Sequence, residues 1–190
     1  MINAITRYHS AHKIVNLHPM DLDPRNDPFQ NEYLLSKQMN IANCILSCYA
    51  ALEEIDLCIE LKRGAGLLNE EKNGWNYDTY RTTVEKLTNS GIDPNMEIVW
   101  LYRGNTAQTN VDTAVKVMRT CEWSFGEISD YYTTPVDALL IIKYLRNKAG
   151  AHNDDEKIGS LSIYDAENAF YLSRTLLLIK FGIYELMEKE

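Results

Sequence analysis

A chain of 190 residues with 45% hydrophobic and 24% charged residues is typical of one soluble globular domain. Its 27 acidic residues outnumber the 19 basic ones, and the net charge of −8 argues against a general nucleic-acid coat protein while allowing a small basic site. No apolar run reaches the roughly 18 to 20 residues of a membrane span, and the amino terminus lacks the pattern of a secretion signal. We therefore expect a cytoplasmic protein without membrane association.

The four cysteines favour the same compartment. Three of them lie on one predicted helix, where Cys44 and Cys48 are four residues apart and poorly placed to bridge each other. We expect reduced thiols. Metal binding through Cys44 and Cys48 is an alternative, but no second Cys/His pair has a suitable spacing. The sequence predicts no metal and no cofactor.

Residues 1–28 are predicted to be an amino-terminal extension, with a short amphipathic helix at residues 2–15 and a polar, proline-rich loop after it. His9 and His12 could share a helix face near His18, which would suit a metal site. Surface histidines are the simpler interpretation.

A long helix is predicted over residues 29–61. Its apolar residues recur at spacings of three, four or seven: Leu34, Ile41, Ile45, Cys48, Leu52, Ile55 and Ile59. Such a stripe is typical of a helix packed lengthwise in a bundle. Glu53 and Glu54 interrupt it and are expected in solvent, although one of them could pair with a basic residue of a site. Gly64 and Gly66 are expected to end the helix.

Several shorter elements are predicted between the long helices, within residues 64–133. Residues 78–89 predict a helix, and Asp93–Pro94 predicts a new helix start. Residues 96–102 could form a short helix or a buried strand, and helix is favoured because no partner strand is visible. A further amphipathic helix is predicted at residues 111–121.

The strongest helix start lies at Thr134. Thr134 is a good N-cap, Pro135 suits the first helical position, and Asp137 follows three residues after the cap. The apolar run from Val136 onward predicts a buried helix, and Gly150 is the expected stop. A last long helix is predicted over residues 163–189. The fold class is therefore all-α, with a single domain spanning all 190 residues.

The end of the helix at residues 135–149 carries an unusually dense set of polar groups: Arg146, Asn147, Lys148, His152 and Asn153. A guanidinium forks onto phosphate oxygens, and an imidazole titrates near neutral pH and can transfer protons. An amide can orient a phosphate or fix a histidine tautomer. This set suits cleavage of RNA without a metal, in which histidine transfers protons and arginine stabilises the phosphorane charge.

Helix geometry sets a condition on this site. In an unbroken helix, six steps of about 100° would leave Arg146 and His152 about 120° apart. A helix stop at Gly150 would let His152 fold back toward Arg146. Alternatively, two copies of the chain could contribute across a twofold axis.

The run Arg146-Asn147, four residues, His152 resembles the R-x(4–6)-H motif of the HEPN superfamily, in which a polar residue, often Asn, follows the arginine. The resemblance implies a small HEPN-like helical bundle with Arg146 and His152 as catalytic residues and Asn147 in support. It also implies that residues 64–133, which are longer than a minimal bundle of this kind needs, are an insertion within the bundle. Many members are metal-independent endoribonucleases that act as homodimers in toxin–antitoxin and phage-defence systems. Others have lost catalysis and bind nucleotides or partners.

Two functions follow as expectations. The first is an endoribonuclease that leaves a 2′,3′-cyclic phosphate, with RNA as substrate, a possible antitoxin or regulatory protein as partner, and Lys143, Lys148 and Asn153 as substrate contacts. The second is a non-catalytic module that binds a nucleotide or a protein partner. A plainer interpretation of Arg146 and His152 is that they stabilise the carboxyl end of a helix through its dipole.

Overall fold

The computed structural model describes residues 30–61, 66–69, 74–103, 128–150 and 163–184. Most of these residues are helical, which confirms the all-α class. The helices of the described ranges are α1 (Gln30–Glu53), α2 (Tyr77–Asn89), α3 (Pro135–Ala149) and α4 (Ile163–Lys180). None of these helices is long and apolar enough to cross a membrane. The elements predicted at residues 2–15 and 111–121 lie outside the described residues.

Helices α1, α3 and α4 pack against one another and form the centre of the fold. Because α1 and α4 both cover α3, its buried side chains form an almost continuous run instead of a narrow stripe. The fully buried apolar residues of α3 are Val136, Ala138, Leu139, Leu140, Ile141, Ile142, Leu145 and Ala149. The prediction of a buried helix at this position is confirmed. The burial fixes the carboxyl end of α3 against α1 and α4.

The start of α3 follows the predicted capping pattern. The backbone N–H of Asp137 donates to Thr134 Oγ1 at 3.2 Å, and Thr134 Oγ1 donates to Asp137 Oδ2 at 3.0 Å. The other carboxylate oxygen of Asp137 accepts from Trp75 Nε1 at 2.8 Å. Trp75 ends a short hairpin of β1 (Leu68–Asn69) and β2 (Gly74–Trp75), so Asp137 also ties this hairpin to α3.

Helix α1 ends at Glu53, so the prediction that it continues to residue 61 was wrong. Asp56 has a φ of 61°, the N–H of Asp56 donates to the Glu53 carbonyl, and the N–H of Leu57 donates to the Leu52 carbonyl at 2.8 Å. This is a Schellman motif with an aspartate in the left-handed position. The apolar spacing persists beyond it because Leu57 and Ile59 are buried in an extended segment that returns along the helix.

The prediction that the last helix continues to residue 189 was also wrong, because α4 ends at Lys180. Gly182 has a φ of 69°, and the N–H of Ile183 donates to the Leu178 carbonyl at 2.9 Å. Glycine adopts this conformation at little cost, so the same kind of helix end forms here.

Residues 98–103 form a strand, so the helix favoured there was wrong. Strand β3 (Ile98–Arg103) pairs antiparallel with β4 (Ile128–Thr133), with Ile98 opposite Thr133. Asp93 forms a turn instead of a helix start, because its Oδ1 accepts from the Asn95 N–H at 2.9 Å. The end of β4 leads directly into the Thr134 cap, and β4 thereby sets where α3 begins.

The described parts of the predicted insertion belong to the core. Leu87, Ile92 and Ile98 are buried with the residues of the main helices, and α2 packs against α3. Whether residues 64–133 are an insertion in a smaller bundle stays a prediction.

Candidate functional site

The last two turns of α3 place three of the predicted site residues on one side of the helix. Lys143, Arg146 and Asn147 have the i, i+3, i+4 spacing of neighbours on a helix surface. Asn147 is exposed, whereas Lys143 and Arg146 are partly buried. Lys148 follows two residues after Arg146, about 160° around the helix, and faces a different neighbour.

Tyr49 of α1 lies beneath the two partly buried cations. Lys143 Nζ donates to the Tyr49 hydroxyl at 3.0 Å and lies 4.8 Å from the centroid of the ring. Arg146 Cζ lies 5.7 Å from the same centroid. Both distances are within the range of cation–π attraction. One aromatic ring therefore contacts both cations. Tyr49 itself is buried, with only 2% of its surface exposed.

The Tyr49 hydroxyl also reaches the segment that follows α1. It accepts from the Ile59 N–H at 3.3 Å and donates to the Ile59 carbonyl at 3.4 Å. The early end of α1 makes this contact possible, because it turns residues 57–61 back alongside the helix. The hydroxyl thus joins α1, α3 and the returning segment.

Charges of both signs act on Lys143 above Tyr49. Burial and the neighbouring Arg146 lower the pKa of Lys143, while the negative charges of Glu53 and Glu60 act in the opposite direction. In the part of the chain that the structure describes, neither Lys143 nor Arg146 forms a salt bridge. Among the described residues, Lys143 and Arg146 therefore place two like charges over Tyr49 without a carboxylate in contact, and we call this partly buried cluster the corner at Tyr49.

Lys148 has a different environment. Its Nζ lies 3.5 Å from Asp165 Oδ2, and the side chains of Lys148 and Asp165 are 8% and 0% exposed. This buried ion pair joins the end of α3 to the start of α4. The ammonium group faces away from the corner at Tyr49, and the predicted substrate contact of Lys148 stays a prediction.

The predicted helix stop at Gly150 is confirmed. The Gly150 N–H donates to the Arg146 carbonyl at 2.8 Å, and α3 ends there. A Cβ on Gly150 would lie 3.1 Å from that carbonyl oxygen and 3.7 Å from Arg146 Nη1. The guanidinium therefore extends toward the point where the helix ends. His152 and Asn153 lie outside the described residues.

The cysteines of α1 are core residues. Within the described ranges, Cys44 and Cys48 form no disulfide, and both are fully buried. The hydrogen bond to Cys48 and burial both raise the pKa of the Cys44 thiol. In the described ranges, no group of three or more His, Cys, Asp and Glu side chains is arranged to hold a metal ion.

Sequence reasoning missed Tyr49. Its position was informative, since it lies four residues after Ile45 and three before Leu52 on the buried side of α1. A tyrosine on such a stripe needs a hydrogen-bond partner for its hydroxyl. What the spacing could not reveal is that Lys143 and Ile59 supply those partners.

No protein-family model matches the chain, and neither a curated protein nor a solved structure is significantly similar to it. The resemblance to the HEPN superfamily therefore depends on the motif and on the placement of its arginine.

The buried hydroxyl of Tyr49 leads to a prediction about alkaline pH. Burial raises the pKa of Tyr49 from 10.0 to about 12, against the opposing effects of the Ile59 hydrogen bond and Arg146. A raised tyrosine pKa favours the protonated fold, so its stabilisation is complete below pH 10 and is lost as pH rises toward 12. The difference in unfolding free energy between wild type and Tyr49→Phe should fall by about 1.4 kcal/mol from about pH 9 to about pH 11.

Urea unfolding at several pH values measures this difference. The matched control is Tyr77→Phe, which removes the hydroxyl of a tyrosine that is 75% exposed. A Tyr49→Phe difference that stays constant across this range would contradict the assignment of a buried phenol.

Proposed function

We propose that the protein is a metal-independent endoribonuclease of the HEPN type, acting as a toxin or defence-system component. One observation supports this most. The Arg146 guanidinium rests on Tyr49 and extends to Gly150, where the helix ends and from which the chain reaches His152 in two residues. A helix that stops there removes the separation of about 120° that an unbroken helix would impose on the two motif residues, and this supports the proposal that they act on one phosphate.

The reaction is a transesterification within the RNA. The ribose 2′-oxygen forms a bond to the adjacent phosphorus, the bond from phosphorus to the 5′-oxygen breaks, and the products are a 2′,3′-cyclic phosphate and a 5′-hydroxyl. A base takes the proton of the 2′-hydroxyl and an acid gives one to the leaving oxygen, so no co-reactant is consumed.

Each motif residue has one role in this proposal. His152 transfers protons to or from the ribose oxygens, as an imidazole does near neutral pH. Arg146 stabilises the negative charge that develops on the phosphorane, and Asn147, exposed on the same side of α3, orients the phosphate. The proposed enzyme is a homodimer, in which a second copy contributes to the site across a twofold axis.

The test is RNA cleavage by the purified full-length chain in excess EDTA. We expect fragments with 2′,3′-cyclic phosphate and 5′-hydroxyl ends, detected by end-specific labelling with and without phosphatase treatment. Expression of the wild-type chain in bacteria should also arrest growth. RNA that stays intact with and without divalent cations, together with normal growth, would count against the proposal.

The same cations suit a second function, binding without catalysis. Lys143 and Arg146 have no salt-bridge partner in the described chain, and a nucleotide phosphate would neutralise them. This function predicts that nucleotides raise the melting temperature while RNA stays intact. Cleavage that depends on Arg146 would exclude it as the main activity.

A further inference from the structure

The corner at Tyr49 differs from an ordinary helix end. Cations near the last carbonyls of a helix are stabilised by its dipole, and this would account for Arg146 alone. It does not explain why Lys143, one turn earlier, points its ammonium at the same tyrosine within 3.0 Å of the hydroxyl. Tyr49 holds two cations of like charge side by side, and that arrangement costs repulsion unless an anion binds between them.

Lys148, on the same helix, has a different environment. All three cations lie within six residues of one helix, yet only Lys148 has a carboxylate partner, Asp165, among the described residues. Glu53 and Glu60 are near enough to affect Lys143 electrostatically but form no salt bridge with it. Among the described residues, these acids moderate the positive charge at Tyr49, and none of them neutralises it in contact.

We infer that Tyr49 is a positioning residue that holds Lys143 and Arg146 together as a site for one phosphate group of a single-stranded nucleic acid. The hydroxyl fixes the ammonium of Lys143, the ring supports the guanidinium of Arg146, and Ile59 fixes the hydroxyl. The use of this site for RNA cleavage rests on the proposed function, whereas the coupling of Tyr49 to Lys143 in phosphate binding does not.

The test separates binding from cleavage by using a short single-stranded DNA, which has the same phosphates but no 2′-hydroxyl to react. Its dissociation constant for the full-length chain is measured by fluorescence anisotropy over a range of salt concentrations. The variants are Lys143→Met, Tyr49→Phe, the double variant and Lys143→Arg. Arg174→Met is the matched control, because it removes one cation from an exposed side chain of α4.

We expect Lys143→Met to weaken binding about tenfold and to reduce the slope of log K against log salt by about 0.7, the value for one phosphate contact on a single strand. Lys143→Arg keeps the charge and should keep the slope. Tyr49→Phe keeps both cations and the ring, so it should weaken binding about threefold in the wild-type background. It should have no effect when Lys143 is already methionine, since the hydroxyl acts through that ammonium.

Two results would overturn the inference: additive effects of Tyr49→Phe and Lys143→Met, or a Lys143→Met variant that binds like Arg174→Met. Parallel RNA cleavage keeps the two proposals apart. If Tyr49→Phe and Lys143→Met have non-additive effects on binding while RNA stays intact, the phosphate site is upheld and the ribonuclease is rejected. If RNA is cleaved but the two effects are additive, the ribonuclease is upheld and the role of Tyr49 is rejected.

Discussion

Arg146→Ala is expected to lower the rate of RNA cleavage about a thousandfold, the loss typical when a charged group that stabilises a transition state is removed. Binding of RNA should weaken far less, because the largest charge on the phosphorane develops only in the transition state. Single-turnover cleavage at saturating protein, together with a separate binding measurement, resolves the two effects.

Two further variants serve as controls, one at Arg146 itself and one at a distant arginine. Arg146→Lys keeps the charge but loses the planar fork, so its rate should lie between wild type and alanine. Arg174→Ala removes an exposed arginine and should leave the rate unchanged. A cleavage rate for Arg146→Ala within a few-fold of wild type would reject Arg146 as the stabilising cation.

His152→Ala should reduce cleavage by a factor on the order of a hundred or more if the imidazole transfers a proton in the transition state. Because Arg146 and His152 are proposed to act on one phosphate, the double variant should lose much less than the product of the two single losses. Multiplicative losses would indicate that the two residues act independently.

The sequence predicted the element that carries the site better than the elements around it. Helix α3 has local signals at both ends, Thr134 with Asp137 at the start and Gly150 at the stop, and both formed as predicted. Its apolar run left little alternative to a buried helix. Residues within the helix or next to it determine its start, its end and its apolar character, so the sequence alone was sufficient to predict them.

The failures share a different cause. The end of α1 depends on Asp56 adopting a left-handed conformation. Aspartate tolerates this conformation, but an aspartate in the sequence does not predict it. Strand β3 depends on β4, whose partner residues lie far along the chain. The contact of Tyr49 with Lys143 likewise spans 94 positions. Pairing at such distances is decided by packing, and spacing within one segment cannot reveal it.

The second large effect is expected for stability. Lys148→Met should lower the free energy of unfolding by about 3 kcal/mol, because it leaves the carboxylate of Asp165 buried without its ammonium partner. Urea unfolding followed by circular dichroism measures this loss, provided that the m-value is unchanged. A loss below about 1 kcal/mol would mean that the pair is not desolvated in solution.

Lys148→Met with Asp165→Asn is the informative partner variant. It removes both charges, so it should recover a large part of the stability that Lys148→Met loses. If the double variant is as unstable as the sum of the two single ones, the loss comes from packing and not from a buried carboxylate that has lost its ammonium partner.

The matched control for both experiments is Lys143→Met on the same helix. The pKa of Lys143 is lowered, which means that the fold disfavours the charge of its ammonium group. Methionine keeps most of the apolar stem of the lysine side chain. We therefore expect less than about 1 kcal/mol of destabilisation from Lys143→Met, although it should impair phosphate binding. Opposite responses from Lys143 and Lys148, five residues apart, would show that α3 uses one cation to hold the fold and keeps the other available for a ligand.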